Sequence, residues 1–207
     1  MSIPKYFVQT SKQKPQQYIV DMIQEKIPGW TYEHYDDEEA INFFKKHPIK
    51  ELPDVINKFN SMSFGEHKAD LFRYYYLFIN GGVYMDSDAM LLINIDDIVK
   101  DYTFFSVNSS YFQNTIFQGF IGCTPRNRII EKALIDIYNT PNQIMNHYFN
   151  IFCINLYSFY INEENQIKHL YQEKTGNPLY APVFDMQNNV EILRHYYADK
   201  IIPKLIS

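Results

Sequence analysis

The chain is predicted to be a single α/β domain with a mixed, largely parallel central sheet, and three observations predict it. Residues 3–10 and 30–35 have the composition and alternation of strands, whereas residues 16–27 and 36–46 have the apolar spacing of helices. This order of strand, helix, strand and helix is typical of parallel sheets. The chain is 46% hydrophobic and 17% aromatic, which favours a packed core. Its 207 residues are enough for one domain that buries about 70% of its unfolded surface.

The later elements follow from local periodicity and from turn residues. The longest predicted helix spans residues 64–80, and we expect it to begin with a capping box of Ser63 and Glu66 and to end at Gly81 and Gly82. Its apolar residues are expected to form one stripe. The other predicted strands are 83–85, 102–107, 115–122 and 178–184, and the other predicted helices are 127–138, 141–161 and 190–197.

Charge and composition exclude several classes of protein. The net charge is −5 and no basic cluster is present, so nucleic-acid binding is not predicted. Residues 1–12 lack the apolar segment of a signal peptide, and no apolar run reaches about 18 residues, so we expect a cytoplasmic protein without membrane insertion. Cys123 and Cys153 lack the spacing of a metal or redox motif and are expected to be buried thiols.

Two carboxylates, Asp86 and Asp88, stand between the apolar runs 83–85 and 90–93. They follow a predicted strand directly, and the carboxyl ends of strands are where open α/β sheets bind ligands. Two carboxylates can bind Mg²⁺ or Mn²⁺ and leave other coordination positions to water and phosphate oxygens. Taken alone, however, the short D-x-D pattern is more often a solvated turn.

A longer block around this pair resembles a known family. It comprises K-A-D-L-F-R-Y at 68–74 and G-G-V-Y-M-D-S-D at 81–88, with an opening strand that starts Ile3-Pro4-Lys5. The block resembles the DXD region of family 32-like glycosyltransferases, which is shared by Och1-like mannosyltransferases, capsular-sugar transferases and clostridial glucosylating toxins.

The resemblance implies a GT-A fold and a retaining transfer of sugar from a UDP- or GDP-sugar to a glycan, protein or small molecule, with Mn²⁺ or Mg²⁺ as cofactor. Asp70 and Arg73 would bind the donor's sugar and diphosphate, and Tyr84 would line the donor site. Asp86 would contact the ribose and the metal, and Asp88 would bind the metal directly. Because a metal and a guanidinium stabilise charge on a departing diphosphate, Asp86, Asp88 and Arg73 are the predicted catalytic residues.

Residues outside the block complete the predicted site. Gln9 and Thr10, at the end of the first strand, are predicted donor contacts. Gln118 is a further one, because it stands where an Asn that contacts the sugar is common in the family. His195 is a candidate third metal ligand, although a histidine beside aromatic residues is more often structural.

The resemblance also divides the chain. It covers residues 3–135, so we assign residues 1–135 to the donor and metal side, and residues 136–207 to the acceptor side, of a single domain spanning 1–207. The oligomeric state and the identity of the acceptor are not predicted.

The first strand departs from the family's pattern. Val8 and Ser11 stand where His and Trp are usual, so the aromatic side chain expected to stack on the nucleobase has to come from elsewhere. Tyr6, Phe7 and Tyr35 are the nearby candidates.

Two other functions stay open from the sequence. A haloacid-dehalogenase-like phosphatase also places D-x-D after an apolar strand, with the first Asp as nucleophile, but Met90 stands where Thr or Val is expected. A non-catalytic module that binds nucleotide-sugars would explain the departures at Val8 and Ser11.

Overall fold

The computed structural model describes residues 2–197 and 202–203, in which one nine-stranded sheet has helices on both faces. The strands are β1 (Tyr6–Thr10), β2 (Thr31–Tyr35), β3 (Gly82–Met85), β4 (Ala89–Leu91), β5 (Phe104–Asn108), β6 (Ile116–Cys123), β7 (Lys168–Glu173), β8 (Tyr180–Asp185) and β9 (Val190–Tyr196). The helices are α1 (Gln17–Lys26), α2 (Asp37–Lys46), α3 (Val55–Ser61), α4 (Gly65–Asn80), α5 (Ile95–Val99), α6 (Arg128–Asn139), α7 (Asn142–His147) and α8 (Ile151–Ile161).

The strand order is β2-β1-β3-β6-β5-β7-β8-β9-β4, which confirms the predicted α/β class and mixed sheet. Strands β1, β2, β3, β5, β7 and β9 run in one direction, and β4, β6 and β8 run in the other. Neighbouring strands are nevertheless more often antiparallel, because β6 returns between β3 and β5 and because β8 and β4 flank β9. The sheet is therefore largely parallel in strand direction but not in pairing.

Alternating side chains place apolar residues on both faces of the sheet. Phe7 packs into the cluster that holds α1 and α5 against one face, and its neighbour Val8 into the cluster formed with α2, α4, α6 and α8 on the other. Val83 and Tyr84 divide between the same two clusters. Successive residues of a strand point to opposite faces of the sheet, so a strand that is buried on both faces needs apolar residues at successive positions. The sequence has such residues in β1 and β3.

Helix α4 differs from its prediction in two respects. Residues Leu71 to Phe78 are buried all round the helix, so its apolar surface is not one stripe. The predicted capping box is absent, since Phe64 occupies the N-cap position and makes no side-chain cap hydrogen bond. The predicted end is confirmed, because Gly81 follows the helix with φ 66°, a conformation that glycine adopts without strain.

The carboxyl-terminal third contains the clearest error of the prediction. Residues 190–197 were expected to be helical, but Val190–Tyr196 form β9, which pairs with β8 on one side and β4 on the other. The segment 141–161 is helical but is divided into α7 and α8. The sequence prediction missed α3, α5, β4 and β7. No helix in the described ranges is long and apolar enough to cross a membrane.

Candidate active site

The carboxyl ends of the six strands that share one direction lie at one edge of the sheet. A cavity of about 750 Å³ opens there. Its walls include Thr10 from β1, Tyr35 from β2, the turn 86–88 after β3, and Glu173 from β7. Because strands meet at this edge from both halves of the sequence, residues that are distant along the chain face one space.

Asp86 is fixed at the point where β3 ends. Its backbone N–H donates to the carbonyl oxygen of Gly119 at 2.8 Å, and its own carbonyl oxygen accepts from Gln9 Nε2 at 3.0 Å. Gln9 is fully buried and is held in turn by the hydroxyl of Tyr32, which donates to Oε1 at 3.0 Å. The structure therefore places Gln9 behind the Asp86 backbone, where it positions the acidic turn, and Gln9 is not among the residues that line the cavity.

Arg73 connects the helix to this turn. Its Nη2 lies 3.3 Å from Asp70 Oδ1 and 3.1 Å from Asp86 Oδ1, and its guanidinium carbon lies 4.4 Å from the centre of the Tyr84 ring. The three-residue spacing of Asp70 and Arg73 on α4 puts both side chains on the face toward β3. Tyr84 completes the group, because its hydroxyl donates to Asp86 Oδ1 at 2.9 Å and lies 2.9 Å from Thr10 Oγ1.

Burial and charge act against each other in this group. Burial lowers the pKa of Arg73, but Asp86, Tyr84 and Asp70 outweigh it and raise that pKa, so the guanidinium stays charged. Burial raises the pKa of Asp86, Arg73 lowers it and Asp88 raises it again, and the net direction is upward. A buried carboxylate with a raised pKa beside a second carboxylate is a site that a divalent cation would stabilise.

The second carboxylate, Asp88, lies beside His195. Strands β4 and β9 pair so that Ala89 is opposite His195, and the N–H of Tyr196 donates to the carbonyl oxygen of Asp88 at 2.9 Å. His195 Nε2 consequently lies 3.5 Å from Asp88 Oδ2. One ligand atom from each of Asp86, Asp88 and His195 lies within 4.8 Å of the others.

The donor atoms of this cluster fit a hard divalent cation. Asp88 Oδ1 is buried and has no hydrogen-bond partner among the residues described. Both hydrogen bonds that the Asp86 carboxylate accepts go to Oδ1, from Arg73 and Tyr84. A carboxylate oxygen that is buried without a donor is costly unless a cation satisfies it. Two carboxylates and one imidazole are few ligands, which leaves coordination positions for phosphate oxygens.

The carboxylates around His195 raise the pKa of its imidazole. Burial lowers the pKa of this imidazole, but Asp88, Asp86 and Glu173 together raise it above its ordinary value. The ring is also 4.4 Å from that of Phe117, centre to centre. The residue is thus both packed against an aromatic side chain, as a structural histidine would be, and grouped with two carboxylates, as a metal ligand would be.

Gln118 lies deeper in the same cavity, on β6. With its amide oriented to satisfy both ends, the nitrogen donates to Asp70 Oδ1 at 3.2 Å and the oxygen accepts from Cys153 N–H at 3.2 Å. The hydroxyl of Tyr74 contacts the same amide. The structure therefore brings Gln118 together with Asp70. Two of the residues predicted to bind the sugar donor are thus joined by a hydrogen bond.

Sequence reasoning missed two residues at this site. Gly119 on β6 leaves so little space that an added Cβ would lie 2.2 Å from Asp86 Oδ2. A glycine inside a predicted strand is a signal for close approach, and it was available in the sequence. Glu173 is a buried carboxylate that lines the cavity, and no signal identified it because β7 itself was not predicted.

Comparison with known proteins identifies the amino-terminal half. Residues 6–105 match the family described as a glycosyltransferase sugar-binding region containing the DXD motif. These residues, slightly under half of the chain, are similar to a DXD glycosyltransferase sugar-binding region. They include Gln9, Thr10, Asp70, Arg73, Tyr84, Asp86 and Asp88, whereas Gln118, Glu173 and His195 lie outside this range.

Two curated proteins are similar to part of this chain. An uncharacterized glycosyltransferase of Acanthamoeba polyphaga mimivirus is 27% identical over 120 residues, which is 57% of this chain and 46% of that protein. The initiation-specific alpha-1,6-mannosyltransferase of Saccharomyces cerevisiae is 36% identical over 89 residues, which is 43% of this chain and 17% of that protein. The chain thus spans less than half the length of either relative.

A solved structure supports the fold. The PaToxG glycosyltransferase superposes with a TM-score of 0.54 at 13% identity and covers 76% of this chain and 70% of its own. This likeness confirms the predicted GT-A fold.

Proposed function

We propose that the chain is a metal-dependent glycosyltransferase that moves a sugar from a UDP- or GDP-sugar to an acceptor. The observation that carries the proposal is the grouping of Asp86, Asp88 and His195 beside Arg73 at the edge of the sheet. The DXD family, the mimivirus glycosyltransferase and the yeast mannosyltransferase support the same reaction class.

Asp86, Asp88 and His195 are the residues that would hold Mn²⁺ or Mg²⁺. A bound divalent cation would supply positive charge to the diphosphate as its bond to the sugar breaks. Asp88 is the most accessible of the three, with a side chain 48% exposed, so it has the freest approach to an ion that also contacts substrate. The family resemblance implies the same role, direct binding of the metal, for Asp88.

Arg73 would act on the donor through its fixed position. Asp70 and Asp86 both contact Nη2 of the guanidinium while Tyr84 covers one face of it, so its direction does not have to be ordered when the donor binds. Pre-oriented charge of this kind stabilises a transition state at little reorganisation cost. Asp70 and Gln118 lie on the same wall, where a donor sugar would find hydrogen-bond partners. Retention of anomeric configuration is proposed from the family resemblance.

The nucleobase would lie near the ends of β1 and β2. Thr10, Ser11 and Tyr35 line the cavity there, whereas Phe7 is buried in the core and Tyr6 faces a different cavity. Tyr35 is therefore the aromatic residue, among the three considered, that remains available to contact the base.

The test is donor hydrolysis measured without acceptor. Purified protein is incubated with GDP-mannose, UDP-glucose, UDP-galactose or UDP-N-acetylglucosamine, with Mn²⁺ or with EDTA, and the products are resolved by chromatography. A glycosyltransferase releases nucleoside diphosphate and free sugar from at least one donor only when metal is present. A phosphatase of the haloacid-dehalogenase type would release inorganic phosphate instead. A non-catalytic module would bind a donor, as seen by a rise in melting temperature, and release neither.

A further inference from the structure

A second wall of the cavity contains residues that belong neither to α4 nor to the turn 86–88. It is built from the loop between β5 and β6, the end of β7 and the residue after β9: Ser109, Tyr111, Phe112, Thr115, Glu173 and Tyr197. Tyr197 follows His195 by two positions, so this wall begins where the candidate metal cluster ends. None of its residues was predicted from the sequence.

Glu173 is the charged group of this wall. Only 2% of the residue is exposed, and its Oε2 accepts from Ser109 Oγ at 2.9 Å and from the backbone N–H of Ser110 at 3.0 Å. No Lys, Arg or His of the described residues forms a salt bridge with Glu173. Within the same ranges, Oε1 accepts no hydrogen bond and is not fully buried. One oxygen is thus fixed to the loop, whereas the other accepts no hydrogen bond from a described residue, and Glu173 lines the cavity. A buried carboxylate of this kind favours a ligand that donates hydrogen bonds.

Two aromatic side chains lie at the mouth of the cavity on the same loop. Tyr111 and Phe112 are 50% and 57% exposed. Their position is fixed, because Ser109 N–H donates to the carbonyl of Thr115 at 3.0 Å and Thr115 Oγ1 donates to that of Phe112 at 2.7 Å. The hydroxyls of Tyr111 and Tyr197 lie 2.6 Å apart, which ties the loop to the strand that carries His195.

A sugar ring matches this combination of groups. Its C–H faces pack on exposed aromatic rings, and its hydroxyls donate strong hydrogen bonds to a carboxylate. A nucleotide's diphosphate does not match, since Glu173 would repel it, so the wall is suited to the neutral partner of the reaction. Building the wall on a held loop and a strand end also reduces the ordering cost of binding.

We propose that Glu173, Tyr111 and Phe112 form the acceptor subsite and that the acceptor is a saccharide, with an acceptor hydroxyl donating a hydrogen bond to Glu173 Oε1. This inference rests on the proposed transferase function, and it narrows the acceptor from the three classes left open by the sequence to one.

The test separates acceptor binding from donor chemistry. The probes are methyl α-D-mannopyranoside, methyl β-D-glucopyranoside and methyl β-D-galactopyranoside. Their binding to the protein is measured by saturation-transfer NMR, and their glycosylation is measured with whichever donor the wild type hydrolyses. The variant Glu173→Gln keeps an oxygen for Ser109 and Ser110 but removes the charge. Ser109→Ala weakens the loop's tether without removing the carboxylate, and Glu164→Gln neutralises an exposed carboxylate outside the cavity.

At least one glycoside is expected to bind the wild type. Glu173→Gln should raise the acceptor KM by a factor about ten times larger than the factor by which it raises the donor KM. The reason is that a charge-assisted hydrogen bond becomes a neutral one. Ser109→Ala should have the smaller effect on acceptor KM, and Glu164→Gln none. The proposal is overturned if no glycoside binds the wild type, if a serine peptide is glycosylated in place of the sugars, or if Glu173→Gln and Glu164→Gln behave alike. Absence of donor turnover with glycoside binding intact would overturn only the transferase function.

Discussion

His195 Nε2 lies 3.5 Å from Asp88 Oδ2, although the two residues come from opposite halves of the sequence. The pairing of β4 with β9 produces this contact, because it aligns Ala89 with His195 and turns Asp88 toward the same edge. The candidate metal cluster therefore depends on the pairing of two strands, β4 and β9, that are about 100 residues apart in the sequence. Asp86 and Asp88 supply charge to the cluster, and His195 supplies a neutral nitrogen ligand when deprotonated.

Asp88→Asn is expected to leave the protein folded and to weaken Mn²⁺ binding by at least about tenfold, since a neutral amide is a poorer ligand for a hard cation than a carboxylate. Titration calorimetry measures the affinity, and circular dichroism reports the fold. Asp97→Asn, at an exposed position on α5, is the matched control and should bind Mn²⁺ as the wild type does. Equal affinity in the two variants would remove Asp88 from the proposed metal site.

Arg73→Lys is expected to lower turnover about 10²-fold while preserving net charge. One ammonium cannot repeat the contacts of the guanidinium with Asp70 and Asp86 and its packing on Tyr84. Steady-state donor hydrolysis is the measurement, and Arg128→Lys on the exposed face of α6 is the control. Normal kinetics for Arg73→Lys would assign the residue a structural role only.

Gly119→Ala is expected to lower both the melting temperature and Mn²⁺ affinity. The new methyl group would lie 2.2 Å from Asp86 Oδ2 and 2.2 Å from Phe117 Cζ, so both side chains have to move. Gly65→Ala is the control, because no atom lies within 4 Å of its added Cβ. Thermal unfolding with and without Mn²⁺ compares the two. An unchanged metal-dependent shift in Gly119→Ala would show that Asp86 does not need its present position.

Ser11→Trp is expected to tighten UDP or GDP binding about tenfold, because an indole at the cavity wall would add a stacking surface for the base. Ser11 lines the cavity and its Oγ lies 2.7 Å from His34 Nε2. Ser11→Ala separates loss of that hydrogen bond from gain of the ring. Calorimetry with each nucleotide in Mn²⁺ is the measurement. If Ser11→Trp folds and binds no better while Tyr35→Leu binds worse, Tyr35 already provides the platform.

The two thiols are expected to react slowly in the folded protein. Burial raises the pKa of Cys153 to about 11, and burial raises the pKa of Cys123 still further. Because the thiolate is the reactive form, iodoacetamide at pH 8 should label Cys153 about 100-fold more slowly than in urea-unfolded protein. Mass spectrometry of timed samples measures both rates. Labelling of Cys153, which is half-buried, at the unfolded rate would contradict the raised pKa of its thiol.

The local part of the site could be predicted from the sequence. Asp70 and Arg73 are three residues apart on a helix that ends at Gly81, and Tyr84 and Asp86 stand two apart at the end of the following strand. Helix periodicity and strand alternation fix which side chains within one element share a face. Only the family resemblance implied that the residues of these two elements share one site. The α/β class followed from the same periodicities. The absent capping box of α4 shows their limit, since Ser63 and Glu66 have the spacing but not the contacts.

Only the tertiary structure decided the rest. The apolar residues of the segment 190–197 fit either period, and its pairing with β8 and β4 made it a strand. That pairing, and not any local pattern, brought His195 to Asp88 and Tyr197 to Tyr111. Glu173 likewise became part of the cavity because β7 lies parallel to β5. Long-range hydrogen bonding and the burial of both sheet faces determine which strands pair. The local periodicity of a single strand carries no information about its neighbour.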